Sequence, residues 1–370
     1  MVMSPMDPFS WKGLPLAGID TPSLLVDAGA LQANLDRMAE YFANRPCGLR
    51  PHFKSHKCTH IARLQMQAGA VGITCAKLGE AETLAEAGIR DLLIANQIVG
   101  EMKIARLVEL ARRSDPITAV DSAENVRALS KAAAAGKVEI RLLVEVDLGM
   151  KRCGVPPGAP ALELARLITS LPGIKFAGLQ GYEGHLVALR DKAERTEKTR
   201  AALKTVVETR RLLESAGIPV SIVTGGGTGT YNVTGDFAGY DEVQAGSYAL
   251  MDWWYGDIRP EFQQAMSILA TVISRPTPEL AILDVGRKGI GAEFGPPRIK
   301  NLPGASVANF GSEEHTSIAL PQGFEIGIGG HLELIPSHGC TTSNLYREII
   351  AHRQGVVADI WPIEGSGRMR

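Results

Sequence analysis

A lysine in a cationic segment is the first residue of this sequence that could do chemistry. The segment RPHFKSHK, Arg50 to Lys57, places Lys54 among His52, His56 and Lys57. Neighbouring positive charge disfavours the ammonium form of an amine, and the neutral amine is the nucleophile. Lys54 is therefore a candidate Schiff-base lysine, although the segment taken alone is more typical of a basic surface loop.

Two glycine-containing segments are candidates for binding phosphate. TGGGTGT, Thr224 to Thr230, follows the strand-like SIVT, and QAGSYALMD comes after it. Consecutive glycines let backbone N–H groups approach an anion closely, and the threonines add hydroxyl donors. The second segment could place three further residues on the same phosphate, namely Gly246, Ser247 and Tyr248. A lysine early in the chain and two phosphate loops late in it fit a phosphorylated aldehyde cofactor.

The elements that must position these residues follow an alternating pattern. From Thr21 to about Tyr255, short apolar runs alternate with stretches of helical periodicity, such as Ala28 to Phe42, Ala123 to Ala135 and Asp191 to Ala216. Parallel strands covered by helices have this texture, and about eight such units in roughly 230 residues match a (β/α)8 barrel. The runs include SLLVD (Ser23 to Asp27), DLLIAN (Asp91 to Asn96), PITAVD (Pro116 to Asp121), EIRLLVEVD (Glu139 to Asp147) and FAGLQGY (Phe176 to Tyr182).

Beyond about Phe262 the pattern changes to short alternating runs separated by glycine and proline. Examples are SILATVISR, LAILDVG, HLELIPS and GVVADIWPI. Such runs predict antiparallel strands of a separate β domain. The predicted fold is therefore α/β, with a barrel over residues 20–260 and a β domain formed by residues 1–19 plus 261–370.

Composition excludes several classes of protein. The 370 residues carry 39 Lys plus Arg against 40 Asp plus Glu, so the clustered positive charge that nucleic acid requires is not expected. No apolar run approaches the ~18–20 residues of a membrane span, and the start lacks the pattern of a secretory signal. Five scattered cysteines are read as reduced thiols. We therefore expect a cytoplasmic protein.

The order of the motifs resembles a known family. Thr21-Pro22 with SLLVD is followed by RPHFKSHK, EVDLGMKRCGV, GLQGYEGH, TGGGTGT, QAGSYALMD, LDVGRKG, SEEH and PSHGC. Together they resemble the D-threonine aldolase and D-serine dehydratase family. Its members are pyridoxal-phosphate enzymes with the alanine-racemase type of fold, also called fold type III. The resemblance extends over nearly the whole chain.

The resemblance implies roles for several residues. Lys54 would carry pyridoxal 5'-phosphate as a Schiff base, and Arg152 and Tyr182 would lie beside the cofactor ring. The implied phosphate binders are Gly226, Gly227, Thr228, Ser247 and Tyr248. The resemblance also implies a homodimer, because in this fold the β domain of one subunit closes the barrel mouth of the other.

A divalent metal is the second cofactor that the resemblance implies, held by a histidine and a ligand two residues later. Here PSHGC supplies His338 and Cys340, which would point to the same side of an extended strand. Imidazole with thiolate favours Zn, whereas the aspartate typical of the aldolases suits Mn. His-x-Cys resembles the dehydratase pattern. The alternative is a structural buried cysteine beside an unrelated histidine.

His185 in GLQGYEGH is the candidate general base, since it would rim the C-terminal end of the barrel, where barrel enzymes place their chemistry. In the resembling aldolases the candidate base lies further along, at the position of Ala188. The implied reaction is retro-aldol cleavage of a D-β-hydroxy amino acid to glycine and an aldehyde. The alternative is a D-serine or D-3-hydroxyaspartate dehydratase, which Cys340 favours. Two further alternatives are an alanine racemase and a pyridoxal-phosphate carrier, but neither would use a metal held by His338 and Cys340.

Overall fold

The computed structural model describes residues 7–370, and the chain divides into two compact units. One unit comprises residues 7–37, 55–60 and 247–366, and the other comprises residues 38–54, 61–246 and 367–370. The prediction placed the later boundary near residue 260, whereas this division follows Gly246. Residues 1–6, which the prediction assigned to the β domain, lie outside the described residues.

Strands and helices alternate through the first two thirds of the chain, and strands dominate afterwards. The strands are β1 (Ser23–Asp27), β2 (Gly48–Leu49), β3 (Ile73–Cys75), β4 (Asp91–Gln97), β5 (Asp115–Val120), β6 (Ile140–Val146), β7 (Ile174–Gly181), β8 (Ile222–Gly225), β9 (Glu242–Val243), β10 (Met266–Thr277), β11 (Leu280–Leu283), β12 (Arg298–Ile299), β13 (Ser306–Asn309), β14 (Thr316–Ala319), β15 (His331–Ile335), β16 (Glu348–Arg353) and β17 (Val356–Pro362). The helices are α1 (Ala28–Phe42), α2 (Thr59–Gln67), α3 (Leu78–Glu86), α4 (Glu101–Ala111), α5 (Ala123–Gly136), α6 (Ala159–Ser170), α7 (Lys192–Ser215), α8 (Tyr231–Thr234), α9 (Trp253–Ile258) and α10 (Gly339–Ser343).

Strands β2 to β9 form a parallel barrel in the second unit. Their order is β2-β9-β8-β7-β6-β5-β4-β3, and a parallel bridge between His52 and Thr74 joins the two ends of this series. Each strand neighbours the next one in sequence, as crossover helices require. A cluster of buried residues packs inside the unit, formed by Leu93, Ile117, Leu143 and Ala177. The predicted barrel is confirmed.

The first unit is built around a mixed, mainly antiparallel sheet of nine strands. Its main path runs β13-β14-β11-β10-β1-β16-β17, and β15 pairs with both β10 and β12. The cluster of apolar residues on this sheet consists of Trp11, Ile19, Leu25, Leu269, Ile350, Val357 and Ile360. The predicted antiparallel β domain is therefore present.

Strand β1 was predicted to belong to the barrel, and this prediction was wrong. It pairs with β10 in antiparallel fashion and with β16 in parallel fashion. Leu24, Leu25 and Val26 are buried between these neighbours. A short run of consecutive apolar residues is typical of any strand that has neighbours on both sides. The run in β1 and the helix after it therefore have the same sequence pattern as a strand-helix unit of the barrel.

Helix bounds agree closely with the periodicity, partly because polar residues cap the ends. Ser122 accepts a hydrogen bond from the Asn125 amide at the start of α5, and Asp191 accepts one from the Glu194 amide at the start of α7. Such caps satisfy amides that have no partner within the helix. Within residues 7–370, none of the helices combines the length and apolar character that crossing a membrane requires.

Candidate active site

Lys54 lies in a short 3-10 helix, Phe53–Ser55, after the barrel strand β2. Its backbone N–H donates to Nδ1 of His52 at 3.4 Å. The Lys54 side chain is half-buried. Since His52 and His56 are both buried, this segment is not a surface loop.

The other basic residues of the segment already have partners. Arg50 is 2% exposed and donates from Nε and Nη2 to the two carboxylate oxygens of Glu242, at 2.7 and 2.6 Å. Lys57 donates from Nζ to Asn344 Oδ1 at 2.7 Å. Arg50 and Lys57 therefore serve the structure of their own units.

Glu183 organises the loop of residues 226–230 that follows β8. Thr230 Oγ1 donates to Glu183 Oε1 at 2.6 Å, and the Gly226 amide donates to Oε2 at 3.3 Å. The Gly227 amide donates to Thr230 Oγ1 at 3.2 Å. Gly226 has a φ of +70°, which favours glycine, and Thr228 is buried. Burial raises the pKa of Glu183, against the opposing effect of hydrogen bonds from Thr230 and Gly226.

Two of the predicted phosphate binders thus use their amides on protein oxygens. The N–H groups of Gly226 and Gly227 point to protein oxygens, so these glycines would serve a phosphate by letting it approach the backbone and not by donating to it. Glu183 lies within the motif GLQGYEGH, but no role was predicted for it. A single sequence does not show that a carboxyl group between two candidate site residues will be buried.

The segments that follow β6 and β7 carry the predicted ring-side residues. Arg152 holds its guanidinium carbon 5.7 Å from the centre of the Tyr182 ring, and Arg152 Nη2 lies 4.0 Å from Glu145 Oε1. Burial raises the pKa of Glu145, although a hydrogen bond from Gln97 opposes the shift. The structure therefore brings Arg152 and Tyr182 close together, and their place beside the cofactor ring stays a prediction.

His185 is exposed in the turn after β7. A Cβ added to Gly149 would lie 3.8 Å from His185 Nε2, so the imidazole lies beside the loop that follows β6. The loops that follow two neighbouring barrel strands, β6 and β7, thus come close to each other at this histidine.

Cys340 joins two of the predicted segments within the first unit. Its Sγ donates to Ser55 Oγ at 3.6 Å and lies 4.0 Å from Ser247 Oγ. Ser55 directly follows Lys54 in the chain, and Ser247 is a predicted phosphate binder. Tyr248 beside it is buried, and its ring centre lies 6.0 Å from that of Phe262.

His338 and Cys340 do not lie on an extended strand, and this part of the prediction was wrong. Strand β15 ends at Ile335, and α10 begins at Gly339 with His338 as its N-cap residue. The two side chains still meet across what we call the His338–Cys340 turn. Burial favours the neutral imidazole, but a hydrogen bond with Cys340 and the charges of Cys340, Asp252 and Glu293 outweigh it and raise the pKa of His338 to about 9.

Two carboxylates that were not predicted as site residues border this turn. Asp252 is buried and accepts hydrogen bonds from the amides of Tyr255 and Gly339, both at 2.8 Å. Burial raises its pKa to about 6, against the effect of those two bonds. Glu293 places Oε2 3.3 Å from His338 Nδ1 and accepts from Thr341 Oγ1 at 3.0 Å.

The turn has the donors that a soft divalent metal prefers. Imidazole nitrogen and thiolate sulfur together suit Zn. His338 Nδ1 is buried and makes no hydrogen bond with any described residue, although Glu293 is near. Over residues 7–370, no three His, Cys, Asp or Glu side chains are grouped so as to hold a metal by themselves. The pair would therefore leave coordination positions for water or substrate.

Comparisons with known proteins agree with the predicted fold and family. Residues 26–252 match the family model "Alanine racemase, N-terminal domain", and residues 265–352 match "Putative serine dehydratase domain". The chain is 41% identical to a D-threonine aldolase of Arthrobacter sp. over 99% of its own length and 97% of that protein. This chain belongs to the D-threonine aldolase and D-serine dehydratase family.

Other members of the family are similar along nearly their whole length. A 3-hydroxy-D-aspartate aldolase of Paracoccus denitrificans (strain Pd 1222) is 33% identical, over 96% of this chain and 94% of that protein. The crystal structure of a D-threonine aldolase from Filomicrobium marinum superposes with a TM-score of 0.93 and 37% identity, covering 96% of this chain and 98% of that one. The alanine racemase-like fold predicted from the sequence is confirmed.

Proposed function

We propose that this protein is a pyridoxal-phosphate- and divalent-metal-dependent lyase that cleaves D-β-hydroxy amino acids into glycine and an aldehyde. The observation that carries the proposal is the position of Cys340 Sγ next to Ser55 Oγ and Ser247 Oγ. Cys340, a predicted metal ligand, therefore lies beside Ser55, which directly follows the candidate Schiff-base lysine Lys54. It also lies beside Ser247, a predicted phosphate binder. Similarity to two aldolases supports carbon–carbon cleavage.

The two cofactors would supply chemistry that side chains lack. Pyridoxal phosphate would accept the electrons released at Cα. The metal would act as a Lewis acid on the β-hydroxyl. Lys54 would hold the cofactor through its amine, with Arg152 and Tyr182 beside the ring. His338 and Cys340 would hold the metal, for which their donor atoms favour Zn over Mn. His185 would take the proton from the β-hydroxyl oxygen of the substrate.

The cofactor phosphate would lie against the loop of residues 226–230. In that position Thr228 would donate its hydroxyl, and Gly226 and Gly227 would permit close approach of the backbone. Gly246, Ser247 and Tyr248 would complete the phosphate site. We further propose a homodimer, as the resemblance implies; the cytoplasmic location stays a prediction.

A dehydratase is the second candidate, and one residue favours it. Cys340 stands where the resembling aldolases typically carry aspartate, and the C-terminal region matches the serine dehydratase domain model. In a D-serine or D-3-hydroxyaspartate dehydratase, Lys54 would remove the proton from Cα and the β-hydroxyl would leave. The two reactions differ in which bond breaks at Cβ, so their products distinguish them.

The covalent role of Lys54 can be tested by reduction with borohydride followed by peptide mapping. We expect a pyridoxyl adduct on Lys54, and the Lys54→Ala variant should lose the absorbance near ~410–430 nm that is typical of a protonated imine of the cofactor. Lys57 serves as the internal control, because its amine donates a hydrogen bond to Asn344 and should stay unmodified. An adduct on another lysine, or an unchanged spectrum in Lys54→Ala, would contradict the assignment.

A further inference from the structure

The His338–Cys340 turn is capped by a residue that lies outside it. His338 is the N-cap residue of α10, with φ −140° and ψ 107°, but its side chain makes no capping hydrogen bond. The first amide of the helix, Gly339 N–H, donates instead to Asp252 Oδ2 at 2.8 Å. A helix start is usually satisfied by its own N-cap side chain. Here the imidazole does not have to cap.

Asp252 and its neighbour hold the backbone on both sides of His338. Asp252 binds the Gly339 amide after it, and the Trp253 amide donates to the Pro336 carbonyl before it at 3.1 Å. The second carboxylate oxygen accepts from the Tyr255 amide, which caps α9. The segment 336–339 therefore cannot shift without moving the start of α9.

Capping of α9 does not by itself require the carboxylate of Asp252. Serine and asparagine cap helices about as well as aspartate, and burying a charge is costly unless every oxygen has a partner. Asp252 is 1% exposed, yet both of its oxygens accept backbone N–H groups. Its second acceptor serves only the residue between His338 and Cys340.

We propose that Asp252 is a positioning residue that holds His338 and Cys340 at the separation needed to share one metal ion. The inference rests on the proposed function in assigning a metal to this pair. Outer partners that fix the ligands of a metal usually change its affinity by about 10- to 100-fold when they are mutated. The effect should therefore appear in metal binding itself, before any turnover is measured.

Two substitutions in the full-length protein separate positioning from helix capping. Asp252→Asn keeps the size of the side chain, but whichever way its amide turns, an NH2 group faces one of the two donor amides. Asp252→Ser keeps a good cap for α9 but is too short to reach Gly339. We expect both variants to bind Zn²⁺ about 10- to 100-fold more weakly in competition with a chromophoric chelator. Their Co²⁺ forms should show an altered visible spectrum, because the ligands have moved.

Asp191→Asn is the matched control, since Asp191 caps α7 in the same way and should leave zinc affinity unchanged. Folding of each variant is checked by far-UV circular dichroism. Parent-like zinc affinity in both Asp252 variants would overturn the inference and leave Asp252 as a cap of α9. If the parent binds no zinc, the inference falls together with the metal part of the proposed function. If the parent binds zinc tightly and releases neither glycine nor a keto acid, only the proposed function falls.

Discussion

The loop of residues 226–230 and the His338–Cys340 turn are each held by a buried carboxylate, but the two carboxylates hold different groups. Glu183 accepts from a threonine hydroxyl and a glycine amide. Asp252 accepts from two backbone amides at the starts of two helices. In the first case the carboxylate shapes a loop that is proposed to meet an anion, and in the second a turn that is proposed to hold a cation.

The difference shows how a buried charge can serve opposite ligands. A negative group under a phosphate site would repel the phosphate if it were left unpaired, so Glu183 is surrounded by donors and burial raises its pKa. A negative group beside a metal site attracts the ion, and the charge of Asp252 also favours the protonated form of His338. Mutation of Glu183 should therefore change affinity for the phosphate-bearing ligand and leave metal affinity unchanged. Mutation of Asp252 should change metal affinity and leave phosphate binding unchanged.

The largest expected effect concerns the barrel rim beside Glu183. His185→Gln should lower the rate of retro-aldol cleavage by about 10²- to 10⁴-fold, because a general base contributes this much. Exchange of the glycine Cα proton with solvent needs no base at the hydroxyl oxygen and should survive far better. His331→Gln serves as the control, since His331 lies in β15 and has no proposed role. Equal loss of both reactions would place His185 in cofactor binding or in chemistry at Cα.

A second prediction breaks the comparison at Glu183. Glu183→Gln puts an NH2 group against the donors of Gly226 or Thr230, and an unsatisfied buried donor costs about 1–3 kcal/mol. The free energy of unfolding should fall by this amount in chemical denaturation. Affinity for pyridoxal phosphate should fall as well, whereas zinc affinity should match the parent. A loss of zinc affinity in this variant would mean that the two turns are not independent.

A third prediction is a pH dependence confined to the His338–Cys340 turn. His338 must lose its proton to bind a metal, and its pKa without metal is about 9. Below that pH, binding releases the imidazole proton, so zinc affinity should rise at least about tenfold for each pH unit and level off near pH 9. Chelator competition at several pH values measures the slope. Glu183→Gln should keep it, and a flat profile from pH 6.5 to 8.5 would contradict it.

Most of the fold could be predicted because it follows from local patterns. Periodicity located α1 at Ala28–Phe42 and placed the ends of α5 and α7 within a residue or two. The strand β1 could not be assigned in the same way, because its partners β10 and β16 lie more than 200 residues away. The apolar run predicts a buried strand, but only the pairing shows which sheet it joins.

The candidate site could be predicted only where a motif carries the chemistry. Lys54 and the glycines at 225–227 were proposed from their residue types together, and His338 with Cys340 from the resemblance to the family. Asp252 and Glu183 do not, since an isolated acidic residue usually lies on the surface and only the fold buries it. The strand geometry expected at His338 also failed, because the helix start at Gly339 depends on Asp252, a residue distant in sequence.

The most direct test of the central claim is to incubate the purified protein with pyridoxal phosphate and Zn²⁺ and measure its products from D-threonine and D-serine. Carbon–carbon cleavage predicts glycine and acetaldehyde from D-threonine in equal amounts, with little ammonia from either substrate. Release of ammonia from D-serine faster than cleavage of D-threonine, with pyruvate as the partner product, would contradict the aldolase assignment and identify the Cys340 ligand as the better guide to the reaction.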